Sequence, residues 1–443
     1  MNICPQPVRS KAPSSNNTGQ PHSVFKRIGW RLMPLLFVVF VLAYMDRVNI
    51  GFAKLQFSTE LGLTDVMYGR GAGIFFFGYM LAGIPSNLLL AKMGARATIS
   101  RIMVTWGTVS SLMMFISTPT QFYVLRFLLG LAEGGLAPGV YLYLTYWFPA
   151  ALRARMLAIF LAAVPVAGIL CAPLSGYLLD SMHHVYGLKG WQWMFLLEGI
   201  PSIIVGFIAH FLIQDTPQTT RWLTAPEKER VALALESDVR AKCAGRTRSA
   251  ARHVLNSKTF LILATVETIG GAAVSGFAYW LPQILRDLGI QSLTRNGLIA
   301  AIPSVCASVG MIVWGFSSDR FHERRWHYAI AAAVSALSLL VATQKNVNFF
   351  VAIAALSLAY TGILSCVGVF WAYATSYLRS DAAAVGIGLL NTVAASAGYA
   401  TQYAFGAASM ATNSSLTGLY GIAIAMLIGG ALVLFVPKDA RPA

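Results

Sequence analysis

Twelve apolar runs, each long enough to cross a bilayer as a helix, dominate this chain of 443 residues. They cover residues 30–53, 67–91, 98–117, 121–146, 154–180, 191–213, 260–285, 294–317, 327–344, 347–373, 384–408 and 415–436. A spanning helix needs about 20 apolar residues, because the hydrocarbon core is ~30 Å thick and a helix rises ~1.5 Å per residue. Hydrocarbon offers no water to unpaired backbone groups, so a span must satisfy its own hydrogen bonds. The expected fold class is an all-α polytopic membrane protein. Hydrophobic residues make up 56% and charged residues only 11%, far from the balance of a soluble domain.

The net charge is +16, which in a soluble protein would point to nucleic acid. Here the cations sort by loop. Of the 33 Lys+Arg, 25 fall in the termini and the loops on one side or at the run ends that adjoin them, 6 likewise on the opposite side, and Arg47 and Arg126 deep inside the runs. Cations stay cytoplasmic during insertion, so both termini are expected in the cytoplasm of an inner-membrane protein. The partner this charge implies is the lipid bilayer, and a nucleic-acid partner is not expected.

Ionisable groups inside the runs are costly, ~2.5–3.5 kcal/mol each on the lenient insertion scale, and mark polar pathways. Arg126-Phe-Leu-Leu-Gly-Leu-Ala-Glu133 places an arginine and a glutamate seven residues apart. Two helical turns put both on one face, ~10 Å apart along the axis, too far for an easy direct bond. Asp46-Arg47 interrupts the first run. Neighbouring helical positions point ~100° apart, so this pair cannot simply neutralise itself. Arginines suit the two-pronged binding of a carboxylate, and the acids suit proton exchange. Glu267 lies inside the seventh run as an extra protonation site or the partner of an arginine; Glu198, in the sixth, reads as a helix-packing polar contact.

The domain reading follows the runs. Residues 1–25 are rich in Ser, Pro, Asn and Gln and read as a disordered cytoplasmic tail. Two six-helix bundles, 26–213 and 259–437, flank a cytoplasmic linker at 214–258, with a short tail at 438–443. The linker carries nine Lys/Arg and a helix start at Pro226-Glu-Lys-Glu-Arg230. The halves echo each other, since Gly83-x-x-x-Asn87 before Arg96 recurs as Gly315-x-x-x-Asp319-Arg320 before Arg324-Arg325. Repeated halves fit a carrier that rocks around a midplane site.

Cys171, Cys306 and Cys366 lie in apolar runs and read as buried packing residues, while Cys4 and Cys243 lie in cytoplasmic segments. His183-His184 has no ligand cluster around it, so neither a metal nor another cofactor is expected. No nucleophile triad, Walker loop or Rossmann glycine pattern appears, which argues against an enzyme or an ATP-driven pump.

Several stretches resemble the major facilitator superfamily, and within it the anion:cation symporter family, whose bacterial members include tartrate, hexonate and phthalate permeases. They are Tyr44-Met-Asp-Arg-Val-Asn-Ile-Gly-Phe-Ala53, Pro85-Ser-Asn-Leu with Gly94-Ala-Arg96, Arg126 to Pro138-Gly with Trp147-Phe-Pro, and Trp191-x-Trp-x-Phe-x-x-Glu-Gly199. The likeness implies twelve transmembrane helices in two six-helix bundles, alternating access, and proton-coupled uptake of a small organic carboxylate. It makes Asp46 and Glu133 the proton-coupling acids. Arg47 and Arg126 become the substrate-binding arginines, with Tyr79 and Asn391 as further substrate contacts by family position; Tyr44 and Trp371 are read from the residues alone as a ring wall for the anion or as packing aromatics. Asn87, Arg96, Asp319, Arg320 and Arg324 become the cytoplasmic gate. The family's second span-11 asparagine is replaced by Ala395, which leans towards a less hydroxylated ligand. A monomer is expected. The alternatives are an organic-anion or sugar-phosphate exchanger or uniporter on the same fold, and a non-transporting nutrient sensor.

Overall fold

The computed structural model describes residues 21–243, 257–378 and 382–437. Fifteen α-helices carry these residues, and no strand occurs among them. In the first half they are α1 (Pro21–Glu60), α2 (Asp65–Met93), α3 (Ala95–Leu112), α4 (Pro119–Glu133), α5 (Leu136–Trp147), α6 (Ala150–Leu161), α7 (Ala163–Ser181) and α8 (Gly190–Leu212). The linker holds α9 (Ala225–Cys243). The second half is α10 (Lys258–Asp287), α11 (Leu293–Phe321), α12 (Arg325–Ala342), α13 (Phe349–Tyr377), α14 (Ala382–Thr412) and α15 (Thr417–Leu434).

Helix starts follow local capping chemistry. The side chains of Thr64, Thr118, Ser257 and Ser292 each accept a backbone N–H from the first turn of α2, α4, α10 and α11. Pro119 occupies the opening turn of α4, where a missing N–H costs nothing. Gly94 ends α2 at φ 87°, a backbone angle that side chains disfavour.

Among the described residues nine helical stretches are long and apolar enough to cross a membrane. Here α4 with α5 makes one span and α6 with α7 another. Helix α2, bent by 45° between Gly83 and Pro85, is a tenth. Helices α3 and α14 are not among these ten. The first carries Arg96 and Arg101, and the second Asn391, Thr392, Ser396, Thr401 and Gln402. Both are shielded by neighbours, α3 lying along α8 and α14 along α2 and α10.

Two expectations need correction. Residues 21–25 belong to α1 rather than to a disordered tail, because Val24 and Phe25 bury their side chains and Phe25 packs 6.4 Å from the Phe148 ring. Residues 1–20 lie outside the described residues. Cys306 is exposed rather than buried, on an α11 face shared with Ile302, Val309 and Val313, which suits a lipid-facing surface. Cys171 and Cys366 are buried.

The linker is clasped to the first half. Arg27 pairs with Glu227 at 2.6 Å, the Trp147 and Trp222 rings stack at 6.1 Å, and Tyr143 donates to the Gln214 carbonyl at 2.7 Å.

The halves meet where α2 lies on α14, α7 on α11 and α1 on α10. A group of side-chain hydrogen bonds joins them towards the Glu60 end of α1. Lys54 donates to Gln283 at 3.1 Å and Arg286 to the Leu55 carbonyl at 2.6 Å. Tyr68 reaches the Tyr279 carbonyl at 3.4 Å, Ser409 donates to Asp65 at 2.5 Å, and Thr294 donates to Asp180 at 2.7 Å. Backbones touch here too, since a Cβ at Gly69 would collide with the Gln402 carbonyl and one at Gly297 with that of Ala172. Among the described residues the halves are bound together at this end.

Candidate substrate and proton site

Asp46 and Arg47 sit mid-way along α1 and point to different neighbours. Asp46 turns to α3 and is 3% exposed. Ser110 makes a short hydrogen bond to its Oδ1, and Asn49, one turn along α1, donates to the same oxygen at 3.3 Å. Its Oδ2 is buried with no donor. Arg47 crosses to α4, where Nε donates to Glu133 Oε1 at 2.7 Å. Glu133 is fully buried and its Oε2 has no partner. Arg47 thus supplies the partner that Glu133 cannot find in Arg126.

Arg126 is fully buried. Its Nη2 reaches the Ala72 carbonyl at 3.5 Å, while Nε and Nη1 have no hydrogen-bond partner. No carboxylate lies within 4.0 Å of it among the described residues. Both guanidinium groups pack on Phe75, with carbons 4.8 Å (Arg126) and 5.4 Å (Arg47) from the ring centre. The Arg47 guanidinium also lies 4.7 Å from the Tyr79 ring and 5.8 Å from that of Tyr44. Aromatic faces stabilise a guanidinium without using its donors, so they leave the N–H groups for a ligand. The site therefore holds a closed cation–carboxylate pair beside a buried guanidinium with unused donors. A buried charge of that kind favours an anion that fills them.

The tight approach of α2 and α4 makes this packing feasible. Gly130 faces the Phe75 carbonyl so closely that a Cβ would collide with it. Tyr279 of α10 covers the site from the second half, its ring stacked 5.9 Å from Phe76. Tyr44 lines a small, largely apolar cavity between the halves with Gly168, Phe277, Ser304 and Tyr360.

Other sequence-derived candidates stand apart. The Asn391 amide donates to the Ile387 carbonyl of its own helix at 3.0 Å. Trp371 packs 5.5 Å from Phe370 and makes no contact with either arginine among the described bonds and ring contacts. Glu267 is 9% exposed, and no hydrogen bond or ion pair, with an arginine or otherwise, joins it to the described residues. Asp319 reaches Arg324 at 3.5 Å within its own loop, and Arg320 is exposed. Arg96 is held through its backbone N–H by Asp215 at 2.9 Å, while Asn87 Oδ1 is buried without a donor. None of these contacts joins one half to the other.

Sequence reasoning missed Phe75, Ser110, Asn49, Tyr279 and Lys54. Lys54 is 4% exposed, bound to Asp65 at 2.8 Å and set 4.6 Å over the Trp280 ring. Asn49 was findable as the residue one helical turn after Asp46. Nothing in the sequence distinguishes Tyr279 or Ser110 from packing residues.

Apolar helices packed in two halves around buried guanidinium and carboxyl groups suit a membrane transporter. Residues 36–401 match the Major Facilitator Superfamily, and the chain belongs to it. It is 37% identical to a Pseudomonas putida protein named metabolite transport protein NicT, over 94% of each chain. It is 38% identical to an Agrobacterium vitis protein named as a tartrate transporter, over 95% of this chain and 92% of that one. Both names agree with the resemblance to organic-acid permeases. The fold superposes on a D-xylose-proton symporter with TM-score 0.73 at 15% identity, covering 94% of this chain and all of the other.

Proposed function

We propose that this chain is an inner-membrane importer that moves a small organic carboxylate together with protons, with both termini in the cytoplasm. The observation that carries the reading is Arg126, fully buried with Nε and Nη1 unbonded, beside a paired Arg47 and Glu133. A carboxylate fills the Arg126 donors with two parallel hydrogen bonds. Protonation of Glu133 removes the charge that holds Arg47, which then turns to the same anion. Asp46 supplies the second proton site. Two guanidinium groups, the anion and the protons together remove the net charge that would penalise rocking. Deprotonation towards the linker end restores the Arg47–Glu133 pair and releases the substrate.

On this reading the Glu60 end faces outside, in keeping with the basic loops at the other end. The halves at 26–213 and 259–437 then rock as bodies. Asn87, Arg96, Asp319, Arg320 and Arg324 meet when the linker end closes. The relative named for tartrate brings a hydroxy-dicarboxylate to the front of the substrate class.

The test is uptake into proteoliposomes with an imposed pH gradient, using tartrate, a hexonate and an aromatic carboxylate. Gradient-driven accumulation of one of them supports the reading. Accumulation independent of pH for every transported carboxylate favours the exchanger or uniporter instead.

A further inference from the structure

The second half brings a polar side chain to the two arginines. Tyr279 of α10 is 2% exposed, and its hydroxyl is buried with no hydrogen-bond partner. The charged groups beside that hydroxyl are Arg126, Arg47 and Glu133, all from the first half. Arg126 is itself buried there with Nε and Nη1 unbonded.

Three contacts hold Tyr279 in place. Its ring stacks on Phe76 of α2 at 5.9 Å. Its carbonyl accepts from the Tyr68 hydroxyl at 3.4 Å, and a Cβ at Gly51 of α1 would collide with that same carbonyl. The residue belongs to the second half, yet α1 and α2 of the first half fix both its ring and its backbone.

A buried hydroxyl without a partner is costly. Beside a guanidinium its oxygen can accept, but arginine has no acceptor for the hydroxyl hydrogen. Glu133 Oε2 does not take that hydrogen, since both atoms stand unpartnered. A carboxylate on Arg126 does supply an oxygen. The Nε–Nη1 fork takes one lone pair of each carboxylate oxygen and leaves the others free. The phenolic O–H turns about its C–O bond, so it reaches such an oxygen without moving the ring.

We propose that Tyr279 is a substrate-contact residue, the second half's hydrogen-bond donor to the carboxylate that Arg126 holds. The bound anion then touches both halves at once, through the Arg126 fork on α4 and the Tyr279 hydroxyl on α10. This rests on the reading of the site as a carboxylate site, and not on proton coupling.

The experiment is titration calorimetry of the purified full-length protein with tartrate, a hexonate and an aromatic carboxylate. Thermal unfolding of the unliganded proteins runs alongside. Tyr279→Phe keeps the ring on Phe76 and removes only the hydroxyl. It should weaken binding of the carboxylate that the wild type takes by about tenfold or more, the effect of a hydrogen bond to a charged group. In an Arg126→Lys background the same change should weaken binding much less, because both groups address one carboxylate. The unliganded melting midpoint should not fall, since the hydroxyl has no partner to lose. An unchanged affinity in Tyr279→Phe overturns the proposal, as does an undiminished further loss in the Arg126→Lys background. A melting midpoint several degrees lower overturns it too, because the hydroxyl would then have a structural partner. Tenfold weaker binding in Tyr279→Phe, with no proton movement through the wild type in proteoliposomes, would keep the contact and sink the symport reading. Binding of none of these carboxylates by the wild type overturns both.

Discussion

Arg47 addresses a single oxygen of Glu133: Nε donates to Oε1 at 2.7 Å, Nη2 lies 2.5 Å from the same atom, and Oε2 is buried with nothing to accept from. A two-pronged arginine pair would use both oxygens. On the proposed mechanism Oε2 is where the proton lands, and its arrival would weaken the hold on Arg47.

Glu133→Gln therefore separates binding from coupling. The amide keeps an acceptor for Arg47 but cannot take up and release a proton. In proteoliposomes the variant should lose pH-gradient-driven accumulation while still exchanging labelled for unlabelled substrate. Substrate affinity should stay within about tenfold, or ~1.4 kcal/mol. Full accumulation by Glu133→Gln would remove Glu133 from the coupling step.

Arg126→Lys should weaken carboxylate binding. Lysine keeps the charge but loses the planar fork that offers Nε and Nη1 together. A hydrogen bond to a charged group contributes ~1.5–3 kcal/mol net, so titration calorimetry should show an affinity loss of roughly 10- to 150-fold. An unchanged affinity would place the anion elsewhere.

Much of this site was readable beforehand because charge inside an apolar helix is conspicuous. Asp46, Arg47, Arg126 and Glu133 stand out for that reason, and helical spacing puts Arg126 and Glu133 too far apart for an easy direct bond. What the spacing cannot give is the partner across helices. Arg47 meets Glu133 only because α1 and α4 are brought side by side, a long-range packing fact. Phe75 and Tyr279 are aromatic residues among many. The span edges blurred where polar groups are shielded by neighbouring helices, as in α3 and α14. The α1 start was missed because two apolar side chains, Val24 and Phe25, outweigh a polar composition.

The junction of the halves at the Glu60 end is held partly by backbone contact, so a single methyl should loosen it. A Cβ at Gly297 collides with the Ala172 carbonyl oxygen, which belongs to rigid helix backbone. Overpacking of this kind costs ~1–3 kcal/mol, enough to shift a conformational equilibrium about 5- to 150-fold. Spin labels at Tyr186 and Lys345, both exposed and on opposite halves, should report a longer distance population in Gly297→Ala. An unchanged distribution would mean the halves separate by another route.

The linker clasp should respond to acid. Glu227 accepts from the Thr224 backbone N–H and hydroxyl, both at 2.9 Å, and from Arg27 at 2.6 Å. The Thr224 N–H, followed by its hydroxyl and Arg27, holds the carboxyl below the usual glutamate range. A lowered value means the clasp is fully present above the ordinary glutamate pKa of about 4.3 and is lost as pH falls through the lowered one. Hydrogen exchange in α9 should be independent of this clasp's titration from neutrality down to about pH 5 and accelerate only below it. Glu227→Gln should abolish that acid step, and an acid step that persists in the variant would assign it to another group.

The central claim is that buried guanidinium and carboxyl groups exchange anion binding for proton binding. The most direct measurement is proton movement on addition of a transported carboxylate to proteoliposomes with no imposed gradient. The wild type should carry protons inward with the substrate, and Glu133→Gln should carry substrate without them. Substrate entry through the wild type with no accompanying proton flux would contradict the account.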